Sequence, residues 1–240
     1  MSSGNGDRQG PAIQVIDVAK VFDNMVRALD GVNLTINYGE FVALMGPSGC
    51  GKSTLLHLLA ALDRPTAGRI IVNGRDLTSA GNDRYRREEI GLVFQLHNLL
   101  PHLNALGNVQ IPMFGTGKNH DERLKRAREL LSEMDLQPKE KMTPPRLSGG
   151  ERQRLAIARA LANDPSIILA DEPTGNLDSA AVDRLLALFR GIRDEHNVTI
   201  LLATHDTHVA SATDRIVHMK DGRIVESPQS ETQPTSASGV

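Results

Sequence analysis

Residues 46–53 read GPSGCGKS and satisfy G-x-x-x-x-G-K-[ST], a spacing suited to holding a polyphosphate. Gly46, Gly49 and Gly51 let the backbone turn tightly enough for several N–H groups to converge on one anion. A helix starting just after the loop adds the positive end of its dipole. In that arrangement Lys52 reaches the β- and γ-phosphates and the Ser53 hydroxyl ligates Mg²⁺. Pro47, Ser48, Cys50 and Thr54 complete the loop that the nucleotide would occupy. Cys50 reads as a small filler or, because a helix N-terminus lowers a thiol pKa, as a redox handle.

Residues 167–172, IILADE, offer the acidic half of such a site. A buried strand ending in two carboxylates puts them where ligands gather in an open parallel sheet, at the strand C-terminal ends. Asp171 is then placed to hold Mg²⁺ through water, and Glu172 to orient and deprotonate a water attacking the γ-phosphate. For these groups to meet, the elements carrying them must share one sheet. Residues 41–45 (FVALM), 167–170 (IILA) and 198–203 (VTILLA) are continuous apolar runs, suited to central strands covered on both faces. Residues 13–18, 32–36 and 68–73 alternate and read as half-buried strands. Helices fit 52–62, 121–134, 151–162 and 179–194. In the second of these Leu124, Ala127, Leu130, Leu131 and Met134 recur at helical spacing; in the last, Val182, Leu185, Leu186, Phe189 and Ile192 do. Asp178 or Ser179 caps that last helix, and Asp221–Gly222 turns a C-terminal hairpin. Residues 95–165 read as a helical insertion in one α/β domain or as helices that cover the sheet.

Between the two motifs lies LSGGERQRLAIARAL (147–161), where a Ser-Gly-Gly turn opens a helix and makes a second anion site. With this segment the chain resembles the nucleotide-binding subunit of ATP-binding-cassette (ABC) transporters, over about residues 12–226. The resemblance implies the P-loop NTPase fold of ABC ATPase type: α/β, with a mainly parallel central sheet, an antiparallel β subdomain and a helical subdomain. It implies ATP and Mg²⁺ as ligands and hydrolysis to ADP and phosphate. It also implies a head-to-tail homodimer, in which Leu147, Ser148, Gly149, Gly150 and Glu151 of one subunit meet the ATP held by the other. Gln95, after IGLVF, matches the glutamine that senses Mg²⁺ and the attacking water. Asn176, Leu177 and Asp178 match a loop that crosses the dimer interface. His205 matches the histidine that contacts the γ-phosphate. Phe22 matches an aromatic stacked on adenine, with Val21 and Met25 leaving that register open. Glu172, His205, Gln95 and Lys52 would carry catalysis, and Ser53, Gln95 and Asp171 the Mg²⁺ ion.

The phrasing of 61–77, 94–112 and 169–179 is similar to the lipoprotein-release, macrolide-efflux and cell-division group of these ATPases. Members of that group pair with membrane proteins that have few transmembrane helices and a large external part. The implied permease docks near residues 96–112, with Leu99, Leu100 and Leu103 as an exposed patch; local core packing is the alternative. The chain would then be cytoplasmic and peripheral on the inner face of the membrane, with the transported substrate (lipoprotein, macrolide or peptide) chosen by the permease. Relatives acting on DNA insert coiled coils or zinc-binding cysteines, and those acting on ribosomes carry two cassettes; neither pattern occurs here. An ATP-gated switch with slow hydrolysis would keep the same residues.

Composition fits this reading. The 240 residues are 40% hydrophobic and 23% charged, enough apolar content for a sizeable core. A net charge of −2 does not advertise a nucleic-acid partner, and no tryptophan is available for stacking single strands. One cysteine forms no internal disulfide. The start, MSSGNGDRQGP, lacks the apolar run of a secretory signal. Residues 1–11 and 227–240 read as solvated tails. His97 and His102 lack further ligands on a shared face for a metal. Arg84–Arg87 reads as a solvated basic helix face rather than a lipid contact.

Overall fold

The computed structural model describes residues 10–23, 25–78, 82–175 and 177–225. The expected tails therefore lie outside the described residues, apart from Gly10 and Pro11. The chain runs β1 (Ile13–Val21), β2 (Arg27–Ile36), β3 (Phe41–Met45), α1 (Lys52–Leu59), β4 (Ala67–Val72), β5 (Arg75–Asp76), α2 (Asp83–Glu88) and β6 (Ile90–Phe94). It continues through α3 (Ala105–Gln110), α4 (His120–Glu133), α5 (Gly149–Ala160), β7 (Ile167–Asp171), α6 (Ser179–His196), β8 (Thr199–Thr204), α7 (Thr207–Ser211), β9 (Arg215–Lys220) and β10 (Arg223–Val225).

Two sheets form. The larger has the order β10-β9-β3-β8-β7-β6, parallel throughout except for the β9–β10 pair; the smaller, β2-β1-β4-β5, is antiparallel. The apolar runs explain the layering. Ile168 and Ala170 of β7 point to one face, where they join Leu130, Leu155 and Phe189 from the helices. Ile167 and Leu169 point to the other, where they join Leu55 and Leu58 of α1 and Val15 and Val72 of the antiparallel sheet. A strand covered on both faces needs apolar residues at every position, which is why alternation is absent there.

Helix ends follow their capping residues. Asn119 and Glu122 form a reciprocal capping box at the start of α4, and Asp178 caps α6 by accepting from the Ala181 N–H at 2.7 Å. In α6 the expected Val182, Leu185, Leu186, Phe189 and Ile192 are the buried face, with Phe189 6.1 Å from the Phe41 ring. The C-terminal hairpin turns at Asp221 and Gly222, both with positive φ (49° and 77°), as a two-residue turn matched to strand twist requires. The first helix stops at Leu59 rather than at 62, because Ala61 has a φ of 53°. α5 spans both expected roles of 95–165: its start packs with α3 and α4, and Ala160 lies against Gly91 of β6.

Within Arg84–Arg87, Arg84 and Arg87 lie on the expected solvated face, whereas Tyr85 and Arg86 are engaged with the fold. Tyr85 is fully buried and donates to the Leu59 carbonyl at 2.6 Å, while Arg86 and Arg87 donate to the carbonyls of Ala61 and Gly115. Burial also pushes the Tyr85 phenol well above its ordinary pKa.

Candidate functional site

Strand register builds the site. Met45 of β3 lies opposite Thr204 of β8, and Asp171 of β7 lies opposite both Ala203 of β8 and Phe94 of β6. The next residue in each strand's path is therefore delivered to one edge of the sheet: Gly46, His205, Glu172 and Gln95. These come from segments up to 159 positions apart, and only parallel pairing in this register brings them together.

The phosphate loop leaves β3 there. Gly49 and Gly51 have φ of 80° and 107°, and Gly51 precedes the first turn of α1. A Cβ on Gly51 would sit 2.6 Å from the Ala28 carbonyl, and one on Gly46 would sit 2.2 Å from the Met219 carbonyl. The loop is thus wedged against the β2 start and β9, and both positions demand glycine. Cys50 is buried in the core beneath it, which makes it a filler.

Lys52 is only 4% exposed, and its ammonium donates to the carbonyls of Gly46 (2.8 Å) and Pro47 (3.1 Å). It also lies 3.5 Å from Glu172 Oε1. Glu172 Oε2 in turn lies 3.2 Å from His205 Nδ1. Glu172 holds a left-handed backbone with φ 45°, fixed by its N–H donating to Ala203. A non-glycine residue in that region costs about 1–3 kcal/mol, and such strain gathers at functional positions. The Ser53 hydroxyl donates to Asp171 Oδ1 at 3.1 Å. Gln95 reaches toward Gly175, where a Cβ would come within 2.8 Å of its Nε2. Ser48, Gly49, Gly51, Lys52, Ser53, Thr54, Gln95, Asp171, Glu172 and Ala28 line a cavity of about 320 Å³. Ala28 carries no motif; only the wedge against Gly51 reveals it.

Phe22 stands at the end of β1, 44% exposed, with the Lys20 ammonium 5.1 Å from its ring centre. Lys20 is held there by Asp63 at 2.7 Å and the Arg64 carbonyl at 2.8 Å. Met25, 89% exposed, flanks it, while Val21 belongs to the strand.

The second anion site does not face this cavity, since none of its lining residues comes from 147–151. Ser148 caps α5 and shares a capping box with Glu151: the Ser148 hydroxyl accepts from the Glu151 N–H at 3.3 Å, and the Glu151 carboxylate accepts from the Ser148 N–H at 2.9 Å. Gly149 and Gly150 are open, with nothing in reach of an added Cβ. Leu147 differs from its neighbours: its side chain is 3% exposed and belongs to the core. Leu177 packs against that core and Asp178 is spent on its cap, whereas Asn176 lies outside the described residues.

The expected patch in 96–112 is redistributed. Leu99 packs against the core and Leu103 is half-buried, because both anchor the turn into α3; Leu96 (76%) and Leu100 (41%) are the exposed ones. A groove of about 540 Å³ lies in the same stretch, bounded by Arg86 and Arg87 of α2, Phe94, Asn98, Ile111, Pro112, Phe114 and Arg159. Consecutive left-handed residues, His97 and Asn98 (φ 61° and 47°), turn the chain there, and Arg159 donates to both of their carbonyls at 2.7 and 2.6 Å. Burial, with Arg152 and Arg159 nearby, holds the His97 pKa below its ordinary value.

Residues 29–175 match the family model described as ABC transporter. The chain is 44% identical to the lipoprotein-releasing system ATP-binding protein LolD of Porphyromonas gingivalis, covering 88% of this chain and 97% of that one. It is 46% identical to the macrolide export ATP-binding/permease protein MacB of Rhodospirillum rubrum, over 92% of this chain but only 35% of that longer protein. Among solved structures it is similar to MJ0796 of Methanocaldococcus jannaschii, a dimeric ATP-binding cassette in a post-hydrolysis state with ADP and Pi. That match has a TM-score of 0.80 and 41% identity, over 89% of this chain and 97% of the other.

Proposed function

The chain belongs to the ABC transporter family, and on that premise we propose that two copies close head to tail on two ATP molecules and thereby drive a membrane permease. It is an ATP-hydrolysing, nucleotide-binding subunit of a membrane transport system, in the LolD/MacB-like group, and it uses ATP with Mg²⁺. The observation that carries the reading is the convergence of Lys52, Ser53, Gln95, Asp171, Glu172 and His205 at one sheet edge.

The donor set suits the metal: Ser53, Asp171 and Gln95 offer the hard oxygens that Mg²⁺ prefers. When bound, Mg²⁺ neutralises charge on the β- and γ-phosphates. The remaining work falls to this chain. Lys52 exchanges its carbonyl partners for phosphate oxygens, and α1 presents its N-terminal N–H groups. Glu172 orients a water and takes its proton as the water attacks phosphorus; the bond to the β,γ-bridging oxygen breaks, leaving ADP and phosphate. His205 positions the Glu172 carboxylate and donates to the γ-phosphate. Phe22 stacks on adenine. Ser148, Gly149 and Gly150 of the partner subunit bind the γ-phosphate from the other side. Their absence from the 320 Å³ cavity supports a site completed in trans.

The groove bounded by α2, Ile111, Pro112 and Phe114 receives the permease, and Leu96 and Leu100 are exposed in the same segment, 96–112. No described helix is long and apolar enough to cross a membrane; the permease holds the chain at the inner face. Its cargo is a lipoprotein, a macrolide or a peptide. The test is capture of partners by tagged Glu172→Gln protein, loaded with ATP and Mg²⁺, from detergent-solubilised membranes of the source cells. Recovery of a membrane protein with few helices and a large external domain supports the reading. Recovery of soluble partners alone, with a dimer still forming, refutes the permease and favours an ATP-gated switch.

A further inference from the structure

The start of α5 carries an electrostatic conflict. A helix N-terminus attracts anions because its unpaired N–H groups amount to roughly half a positive charge. Glu151 sits in the first turn, and its carboxylate folds back on the Ser148 N–H, one of the groups in that same turn. A full negative charge against half a positive one would leave this helix start repelling a triphosphate. Lys139 removes the conflict. It stands at the end of a short 3-10 turn (Gln137–Lys139), twelve residues before Glu151, and its ammonium donates to Glu151 Oε1. Both side chains are half-buried. Counting charges, roughly +0.5 from the helix, −1 from Glu151 and +1 from Lys139 restore a net attraction of roughly half a charge.

We propose that Lys139 is a positioning residue for the ATP bound in trans: it neutralises Glu151 and locks the Ser148–Glu151 capping box, so that the α5 start of one subunit can receive the triphosphate held by the other. This rests on the head-to-tail reading above. Two further observations agree with it. The Glu151 carboxyl is held below the usual carboxylate range, first by Lys139 and then by the Ser148 N–H, so it stays charged at neutral pH and needs its counter-ion. Gly149 and Gly150 leave the approach to the helix start open.

Two charges of a bound triphosphate about 8 Å from an uncompensated carboxylate, in a water-like medium, correspond to about fivefold in affinity per site. The experiment uses the full chain with Glu172→Gln, so that ATP is bound but not turned over. The ATP concentration for half-maximal dimerisation is read by light scattering on a sizing column, and binding of a fluorescent ATP analogue to the monomer is read separately. Lys139→Met raises the half-point about fivefold at low salt and leaves monomer binding unchanged. The shift shrinks toward none near 1 M salt, where the screening length is about 3 Å. Lys139→Arg keeps the parent value, and adding Glu151→Gln to Lys139→Met restores it. Lys141→Met, which removes the same charge from an exposed neighbour, has no such effect. A half-point unmoved by Lys139→Met, or moved without rescue by Glu151→Gln, overturns the proposal. A parent that stays monomeric with ATP and Mg²⁺ overturns the trans site itself, and Lys139 with it.

Discussion

Replacing Glu172 by Gln changes the size of the side chain little and removes one negative charge from the centre of the cavity. Three effects follow from the geometry. In the proposed role of base, Glu172 would contribute about a hundred- to ten-thousandfold to turnover, the usual range for a positioned proton acceptor. Without it, hydrolysis falls by that factor. The same carboxylate lies 3.5 Å from the Lys52 ammonium. At that separation the attraction is about 1.2 kcal/mol even at the dielectric of water, a lower bound for so buried a lysine. The variant releases Lys52 for phosphate, so ATP should bind at least about sevenfold more tightly, the equivalent of that energy. The same loss lowers the stability of the free protein by about 1 kcal/mol, or about 2–4 °C in melting temperature for a domain of this size. Phosphate release, titration of ATP binding by calorimetry, and melting with and without Mg-ATP read the three effects. Turnover near that of the parent would remove Glu172 from the role of base. Weaker ATP binding would refute the claim that Glu172 competes with phosphate for Lys52.

Phe22→Ala should weaken ATP binding by about 1–3 kcal/mol, the worth of one base–aromatic stack, while leaving tripolyphosphate affinity unchanged; competition between the two ligands distinguishes the ring from a general loss of folding. Gly51→Ala must place a Cβ 2.6 Å from the Ala28 carbonyl at a φ of 107°, so nucleotide binding is lost and stability falls by about 1–3 kcal/mol, measurable by urea denaturation. The Asp30 carboxyl is held below its ordinary pKa, first by Arg223 and then by Arg27. Its folded value is depressed, so its contribution is complete above the unfolded pKa near 4 and is lost as pH falls through the folded value. Asp30→Asn should therefore flatten the acid limb of the melting temperature against pH while the neutral plateau drops. Mixing Ser148→Arg and Lys52→Met chains gives hybrid dimers with one intact composite site. Turnover in the mixture should exceed that of either variant alone, reaching about a quarter of the parent under random pairing in a symmetric dimer; a mixture as inactive as its components argues for a site complete in one chain.

The phosphate loop, the paired acids and the central strands were legible because each is local. An apolar run of five or six residues fixes a two-sided strand, and its last residue fixes where the next side chain emerges. Helix starts were equally local, since Asp178, Ser148 and Asn119 cap within three residues of themselves. What escaped was set by tertiary contact. Arg27–Gly31 belongs to β2, although only 32–36 alternates, because Gly31 takes a φ of 67° opposite a shift in register near Asp17. Of Leu99, Leu100 and Leu103, expected as an exposed patch or as local core, only Leu100 is exposed; Leu99 packs against the core and Leu103 is half-buried, which depends on how the chain turns into α3. Lys20 under Phe22 follows the two-residue strand period, whereas Lys139 on Glu151 joins residues whose spacing matches no helical or strand period; the fold alone makes that second pair neighbours.

The polar side chains of the site bond to one another and to nearby carbonyls. Lys52 is nearly fully buried, and a buried ammonium without partners would cost several kcal/mol. Two carbonyls and Glu172 supply what phosphate oxygens would. Ser53 bonds Asp171, the pair that would share a magnesium ion. Glu172 also lies 3.2 Å from His205, so the proposed base and the residue proposed to position it are in contact. Binding Mg-ATP therefore exchanges partners more than it adds them, and the net gain from these contacts within one subunit is small compared with their number. The surplus needed to close a dimer must come from contacts absent in the single chain. Among the described residues, the turn at Ser148–Gly150, the proposed trans phosphate site, is open and away from the cavity. On the proposed head-to-tail arrangement, coupling of ATP to subunit closure follows from that division: the second chain brings phosphate-binding groups that are not among the residues lining the cavity of the first.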